Sequence, residues 1–210
     1  MRALTVHRGL CARLGRDNVD TDQIVPKQFL KRTDATGYGE ILFFDWRYDA
    51  DGTPRPDFEL NDPAYQGATV LVTGCNFGCG SSREHAVWAL RDMGYRVLIA
   101  SSFADIFTTN AYQNGLLPLV LPEAVMAHLL ARVGKRDGYQ VEVDLEVGEL
   151  RDAEGLQVAF VVDGFWRECL LCGRDPLERA LAQEEAIGAY EMRRSGLLPT
   201  TTFAELTSRQ

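Results

Sequence analysis

A glycine- and serine-rich segment, GCNFGCGSSREHA at residues 74–86, concentrates side chains that could do chemistry. It offers thiols, hydroxyls, a guanidinium, a carboxylate and an imidazole within a short stretch of chain. These groups suit four interpretations: a phosphate-binding loop, a metal site, a hydrolase nucleophile, or the start of an ordinary helix. The spacing of the residues helps to separate them.

Phosphate-binding loops need glycine and lysine spacings that this segment lacks. A Walker loop ends in Gly-Lys followed by Ser or Thr, whereas the residue immediately before Ser81 is a glycine and not a lysine. The dinucleotide fingerprint G-x-G-x-x-G is half met by Gly78 and Gly80, but the third glycine is replaced by Arg83. Both kinds of nucleotide loop are therefore rejected.

The cysteines could in principle form a metal site. Together with Cys169 and Cys172, Cys75 and Cys79 would supply four thiolate ligands. However, the second pair lies in an apolar helical stretch, where cysteine behaves as a small hydrophobic residue. An odd total of 5 cysteines without an export signal also argues against a disulfide framework. We predict no metal site on this chain.

The serine and histidine of the segment lack the context of a hydrolase. Ser81 and His85 are four residues apart, but the G-x-S-x-G elbow is missing and nothing indicates a triad. A simpler interpretation is a capping box, in which Ser81 caps a helix and Glu84 reaches back to it. Such a cap stabilises a helix by about 1 kcal/mol.

A cap alone does not explain the rest of the motif. Arg83 in the first turn opposes the helix dipole, which favours anions at that end. Two hydroxyls, at Ser81 and Ser82, lie beside this guanidinium, and helix N–H groups complete a carboxylate receptor. Gly78 and Gly80 would let the backbone approach the ligand. The motif is therefore interpreted as both a cap and an anion site.

Regular elements that could position this motif begin at Ala68. Apolar runs predict buried strands, and 3.6-residue periodicity predicts the helices between them. The predicted order is strand 69–73, a helix over residues 86–93, strand 96–100, helix 104–113, strand 117–121 and a helix opened by Pro122 that runs to Arg132. Pro118 favours an edge strand or a strand start. This alternation predicts an α/β fold with parallel strands.

The flanking regions are less regular, and we expect one domain over residues 1–210. Residues 1–67 are predicted to be loop-rich, and 68–134 form the βα core with the motif. Residues 135–165 contain a predicted hairpin that pairs 140–147 with 156–162. Residues 166–210 form a helical extension with an amphipathic helix over 175–192.

Composition limits the classes of function. The net charge is −8, so the chain lacks the basic surface needed for nonspecific binding to nucleic acid or anionic membranes. Its apolar runs are too short to span a bilayer, and the first residues lack the apolar core of a secretory signal. We expect a cytoplasmic protein.

The motif NFGCGSSREHA resembles the hallmark of the swivel domain of the aconitase superfamily. The remaining sequence is similar to the small subunits of bacterial 3-isopropylmalate dehydratases, also called isopropylmalate isomerases. The resemblance covers about nine-tenths of the chain. Its other stretches are residues 18–30 (NVDTDQIVPKQFL), 42–47 (LFFDWR), 56–60, 102–107 (SFADIF), 114–118 (NGLLP), 165–171 and the tail at 182–191.

The resemblance implies a swivelling β/β/α domain with a mostly parallel sheet, long N-terminal loops and a C-terminal helix. It also implies a hydro-lyase of leucine biosynthesis, which isomerises 2- and 3-isopropylmalate through 2-isopropylmaleate. In this family a 4Fe-4S cluster is bound by a separate large subunit. The implied partners are therefore that large subunit and a small dicarboxylate, with no cofactor bound by this chain.

The resemblance also implies roles within the motif. Ser81 corresponds to the catalytic base that removes a proton next to a carboxylate, and Ser82 and Arg83 to contacts with a substrate carboxylate. The residues expected to support the loop are Gly78, Gly80, Glu84 and His85.

Other substrate contacts are implied farther along the chain. Gly115 and Leu116 correspond to a loop that borders the site. Arg16 is the expected second carboxylate clamp, with Arg13 as the alternative. Phe29 and Leu30 could form an apolar wall for an isopropyl group, or could anchor their loop in the core. Related dehydratases acting on homoaconitate or methyl-substituted malates, and a binding module that kept the fold, are the alternative functions.

Overall fold

The computed structural model describes residues 1–31, 36–136 and 138–193. The chain divides into two compact units, Met1–Asp175 and Pro176–Gln210. In the first unit the strands form one sheet in the order β4-β3-β2-β1-β5-β6-β7. Their bounds are β1 Val6–Leu14, β2 Val70–Thr73, β3 Val97–Ala100, β4 Leu117–Val120, β5 Gln140–Asp144, β6 Glu149–Asp152 and β7 Gln157–Ala159.

Strands β1 to β4 form the parallel half of the sheet. All residues of β2 and β3 are buried, as expected of parallel strands covered on both faces. Three helices accompany them: α3 Glu84–Asp92, α4 Asp105–Gln113 and α5 Glu123–Val133. The predicted βα core is confirmed, and β4, which contains Pro118, lies at the sheet edge as proposed.

The longest strand, β1, lies in the region predicted to be loop-rich. Its second half pairs with β2 and its first half pairs with β5. Charged residues interrupt its apolar pattern, and Gly9 weakens the strand signal. Gly9 is required by packing, because a Cβ there would lie 2.2 Å from the Thr69 hydroxyl oxygen. Tertiary contacts with distant strands therefore create this element.

The rest of the N-terminal region consists of short elements. Helix α1 is Thr21–Ile24 and α2 is Phe44–Arg47. Single 3-10 turns make up the other elements there, at Lys27–Phe29, Gly39–Ile41, Glu59–Asn61 and Pro63–Tyr65. Apart from β1, the loop-rich prediction therefore describes this region well.

The predicted hairpin of 140–147 with 156–162 is wrong. Strand β5 ends at Asp144, whose carboxylate accepts the N–H groups of Glu146 and Val147 and so starts a turn. Gly148 continues this turn at a φ of +77°. The chain returns as β6, which pairs with both β5 and β7. The sheet therefore gains a three-stranded antiparallel extension.

The helical extension differs in part from its prediction. Helix α6 is Gly164–Cys172 and belongs to the first unit. The helix predicted over 175–192 is divided into α7, Pro176–Leu181, and α8, Glu184–Arg193. At the break, the Gln183 N–H bonds to the Ala180 carbonyl, a tightened turn that ends α7. The predicted extension beyond 193 lies outside the described residues. Among the described helices, none has the length and apolar character needed to cross a membrane.

Candidate active site

The motif loop leaves the carboxyl end of β2 and enters α3. Its backbone is tied to the segment that follows β1: the N–H of Gly78 donates to the Val19 carbonyl at 2.7 Å, and the N–H of Thr21 donates to the Cys79 carbonyl at 2.9 Å. The loop at the carboxyl end of one parallel strand is thus fixed by the segment that continues from its neighbour. This edge of an α/β sheet is where ligands commonly bind.

The two predicted loop-support glycines adopt conformations that favour glycine. Gly78 has a φ of +77°, and a Cβ there would lie 2.2 Å from Cγ of Phe107. Gly80 has a φ of +95°, and a Cβ would lie 3.4 Å from the Cβ of Asp20. Gly78 is therefore required because the loop packs against Phe107 of α4, and not because a ligand approaches closely.

Ser81 is exposed, but its position is fixed by a buried threonine. Oγ of Thr21 lies 3.1 Å from Oγ of Ser81 and 3.1 Å from the Ser81 carbonyl oxygen. The Ser81 N–H donates to the same threonine oxygen at 3.2 Å. Thr21 is only 2% exposed. One buried hydroxyl therefore holds both the backbone and the side chain of Ser81.

Arg83 lies next to the exposed Ser82 and forms an ion pair with Asp22. The Arg83 side chain is 15% exposed, and the Asp22 side chain is 38% exposed. Lys27 also approaches Asp22, with Nζ 3.3 Å from Oδ2. The predicted anion site thus already contains a protein carboxylate, flanked by two cations.

The capping-box prediction is wrong, because the helix begins later than Ser81. Arg83 is the N-cap residue of α3 and makes no capping side-chain bond. The carboxylate of Glu84 instead accepts a hydrogen bond of 2.8 Å from Nδ2 of Asn114. Oδ1 of Asn114 accepts one of 3.1 Å from Arg91, near the end of the same helix. Glu84 therefore braces α3 against the chain that follows α4.

His85 lies in an aromatic environment. Its ring centroid is 5.4 Å from that of Tyr38 and 4.8 Å from that of Trp88. Burial lowers the pKa of His85, and the nearby Arg83 lowers it further, while Glu84 acts in the opposite direction. The neutral imidazole is therefore favoured, which suits the predicted supporting role.

The structure does not bring Gly115 and Leu116 together with Ser81. They precede β4 at its amino end, whereas the motif loop follows β2 at its carboxyl end. Leu116 is fully buried, and a Cβ on Gly115 would meet Met1 at 3.2 Å. The side chain of Leu116 is therefore unavailable to a ligand in this conformation, and the neighbouring Asn114 is hydrogen-bonded to Glu84 of the motif.

The guanidinium of Arg16 is held by other side chains. Its Nη2 lies 3.0 Å from Oε2 of Glu59, and its Cζ lies 4.4 Å from the Trp46 ring centroid. Its carbonyl accepts the N–H of Gly74 at the start of the motif loop. The alternative clamp, Arg13, lies within β1, where its Nε is buried without a hydrogen bond to the described residues. Arg16 is therefore the residue closer in structure to the motif.

Phe29 and Leu30 follow α1 and are partly buried. The Phe29 ring packs edge-on against Phe44, with centroids 4.9 Å apart, and both Phe29 and Leu30 contact the core. The preceding turn carries Lys27, which reaches Asp22 beside Arg83. The segment is thus both anchored in the core and adjacent to the anion site.

The cysteines are poor candidates for an iron–sulfur site. Each is a free thiol, and burial raises the pKa of Cys75 and of Cys79, which opposes the thiolate that a metal needs. Across residues 1–31, 36–136 and 138–193, no group of three or more His, Cys, Asp or Glu side chains is arranged to hold a metal ion. The described residues therefore do not fit a cluster.

Two residues of the site, Thr21 and Asp22, were not predicted from the sequence. Their helix is capped by Asp20, which accepts the N–H groups of Asp22 and Gln23, while the Gln23 side chain returns a bond to the Asp20 N–H. The D-x-x-Q spacing could have predicted this cap. Nothing local indicates that the helix would meet a loop sixty residues away.

Comparison with known proteins shows the family to which this chain is related. The family model of the aconitase C-terminal domain matches residues 1–124. The 3-isopropylmalate dehydratase small subunit of Bacillus pumilus is 53% identical over 94% of this chain and 99% of its own length. That of Bacillus subtilis is 52% identical over the same shares, and that of Koribacter versatilis is 53% identical over 91% of this chain and 98% of its own length.

A solved structure agrees with the sequence comparisons. The crystal structure of 3-isopropylmalate dehydratase from Methanocaldococcus jannaschii is 31% identical, with a TM-score of 0.62, and the match covers 87% of this chain and 99% of that one. The predicted aconitase-type fold is thereby confirmed. The chain belongs to the aconitase superfamily and, within it, to the family of 3-isopropylmalate dehydratase small subunits.

Proposed function

We propose that this chain is the small subunit of a 3-isopropylmalate dehydratase and contributes the general base and a carboxylate-binding surface. The dehydratase interconverts 2- and 3-isopropylmalate by loss and return of water through 2-isopropylmaleate, a step of leucine biosynthesis. The observation that carries the proposal is the exposed Ser81 hydroxyl, held by buried Thr21 beside Arg83, in a chain half identical to the named small subunits.

Ser81 is assigned the proton transfer. Its oxygen takes the proton from the carbon next to a substrate carboxylate, the electron pair of that C–H bond forms the double bond, and hydroxide leaves the neighbouring carbon. A serine hydroxyl is a weak base, so its anion needs stabilising hydrogen-bond donors. Thr21 can supply one from 3.1 Å, and the first turn of α3 supplies a positive helix end.

Arg83 and Ser82 are assigned to a substrate carboxylate. An arginine can bind a carboxylate through two parallel N–H groups. In the structure Asp22 occupies this role, with Lys27 behind it. The resident carboxylate keeps Arg83 oriented in a polar setting, and an incoming carboxylate shares or takes over the guanidinium. Arg16 is proposed as a second clamp, which requires that its bond to Glu59 opens.

The departure of hydroxide is assigned to groups outside this chain, because the described residues do not fit a metal cluster. We propose that a large subunit carries a 4Fe-4S cluster for that purpose, and that the complex works in the cytoplasm. The name small subunit among the relatives implies such a partner. Phe29 and Leu30 are proposed to line the space for the substrate's isopropyl group, next to Lys27.

The decisive experiment uses the purified complex of both subunits. Ser81→Ala is expected to lower kcat by about 10²- to 10⁴-fold with little change in KM, because a general base acts in the transition state. Ser101→Ala, at the end of β3, serves as the control and should keep full activity. Equal activity of both variants would exclude Ser81 as the base.

Two further outcomes bear on the assignment. Turnover by the isolated small subunit would contradict the need for a partner. Substrate profiling of the complex against isopropylmalate, homoaconitate and methyl-substituted malates tests the substrate, and a preference for one of the latter would reassign the enzyme to a related dehydratase.

A further inference from the structure

An arginine-rich cavity lies at the opposite end of the parallel strands from the motif. Two adjoining cavities of about 320 and 390 Å³ are bordered by the first residues of the chain, the end of α3 and the amino end of β3. Both are lined by Arg2, Arg91 and Arg96. Such a concentration of guanidinium groups is unexpected in a chain with a net charge of −8.

Arg96 has hydrogen-bonding capacity to spare. Within the described residues, one nitrogen of its guanidinium, Nη2, donates to the carbonyls of Arg2 and Ala3 at 3.0 and 3.4 Å. A guanidinium carries five N–H donors on three nitrogens. Nε and Nη1 make no hydrogen bond in that part of the chain, and no carboxylate pairs with Arg96 there. The cationic charge is therefore uncompensated and partly buried.

One neighbour of Arg96, Arg2, adds positive charge. Arg2 is exposed at the cavity and has no ion-pair partner among the described residues. His7 also lines the cavity, and Nε2 of His7 lies 2.8 Å from the Thr69 hydroxyl oxygen. Burial lowers the pKa of Arg96, and the charge of Arg2 lowers it further. The two guanidinium groups therefore lie close enough to repel each other.

A third cavity, elsewhere on the first unit, contains arginines that are paired with carboxylates. Its volume is about 430 Å³ and it is lined by Arg8, Arg132 and Arg151, but there Arg132 pairs with Glu154 and Arg151 pairs with Glu142. Those charges are neutralised within the protein. Among the residues that line the cavities next to Arg96, the acidic one is Asp175, and Arg91 there pairs with Asp92.

We propose that Arg2, Arg96 and His7 form a binding site for a phosphate group, either free phosphate or the phosphate of a small metabolite. The two guanidiniums offer the fixed N–H donors and the charge that a phosphate dianion needs, and the imidazole of His7 adds a polar group. The cavity admits more than the bare ion, so a phosphomonoester also fits. Because the site is remote from the motif loop, it is independent of the function proposed above.

The test is a titration of the full chain with phosphate compounds, in which backbone NMR shifts are recorded at each concentration. Inorganic phosphate and glycerol 3-phosphate are the two ligand arms, each compared with sodium chloride at equal ionic strength. Saturable shifts are expected at Thr69 and Arg96 and not at Ser81. The two arms distinguish the sources, because a phosphomonoester that binds more than threefold tighter than phosphate identifies a metabolite site.

Variants establish which residues bind. Arg96→Gln should weaken binding at least tenfold, since hydrogen bonds to charged groups are the strong ones. Arg2→Gln, which changes an exposed side chain and leaves the fold intact, should weaken it about threefold to tenfold and decides the matter if Arg96→Gln fails to fold. Arg8→Gln is the control, because it removes the same charge from the same strand region outside the cavity.

The results that overturn the proposal are specific. NMR shifts that grow linearly with the concentration of either anion, or that equal those caused by sodium chloride, exclude a phosphate-binding site. If Arg2→Gln and Arg8→Gln weaken phosphate binding equally, the overall charge of the protein, and not a specific site, explains the binding. Shifts centred on Ser81 and Arg83 would place phosphate at the motif instead.

Discussion

Replacing Thr21 by valine tests whether the buried hydroxyl activates Ser81. Valine keeps the shape of threonine and removes the one oxygen that contacts the Ser81 hydroxyl, carbonyl and N–H at 3.1, 3.1 and 3.2 Å. Thr21 is 2% exposed, so water cannot easily take the place of that oxygen. The substitution therefore removes both the positioning of Ser81 and a donor to its oxygen.

The size of the effect follows from the charge of the base. A hydrogen bond between neutral groups contributes about 1 kcal/mol, whereas one to a charged group contributes about 1.5–3 kcal/mol. If Ser81 becomes an alkoxide, loss of the Thr21 donor should cost the larger amount in the transition state. That corresponds to a fall in kcat of about 10- to 150-fold, because about 1.4 kcal/mol is a factor of ten.

The assay is steady-state turnover of the assembled complex, with thermal unfolding measured in parallel. Thr73→Val is the matched control, since Thr73 is fully buried near the same loop and its hydroxyl donates to the Arg16 carbonyl at 3.4 Å. It should lose a similar amount of stability but less than threefold in kcat. If Thr21→Val reduces kcat no more than Thr73→Val does, the hydroxyl of Thr21 has no part in activating Ser81.

Two further predictions concern the structure around the motif. Gly78→Ala should destabilise the fold by about 2–5 kcal/mol, because the added Cβ meets Phe107 at 2.2 Å and the residue has a positive φ. Chemical denaturation measures this loss of stability. The control is Gly155→Ala, which should lose much less, because Gly155 has a φ of +101° but open space around it. His85→Gln should reduce the acid sensitivity of folding. Because burial lowers the pKa of His85 below the unfolded value of 6.5, the unfolded state binds more protons, and stability present above that value is lost as the pH falls. The drop in Tm between pH 7.5 and pH 5.5 should therefore be smaller in His85→Gln than in His128→Gln, an exposed control, and an equal drop would assign the sensitivity to other groups.

Local patterns were sufficient for the parallel core. Each of its strands is a short apolar run and each helix has a regular apolar face, so the periodicity specifies both the type and the order of the elements. Strand β1 could not be predicted in this way. It contains Gly9 and two arginines, and it is stabilised by pairing with β2 and β5, far away in sequence.

The candidate site also contains some residues that the sequence predicts and others that it does not. Ser81, Ser82 and Arg83 adjoin one another in sequence, and the roles proposed for them come from residue type together with the family resemblance. Their partners Thr21 and Asp22 lie on a helix of four residues, and they reach the motif only because β1 and β2 are parallel neighbours. The contacts that tune the serine and the arginine are therefore products of topology, which no local pattern reports.

This geometry explains why the proposed base needs a second polypeptide. Ser81 and Ser82 are exposed, and an alkoxide facing bulk water gains little from nearby dipoles, because water screens them. The same donors stabilise an anion far more strongly once water is excluded. On the isolated chain Arg83 is compensated by Asp22 rather than by a substrate. A large subunit that covers this surface would both exclude water and present the substrate, so assembly itself would convert Ser81 from an ordinary hydroxyl into a base.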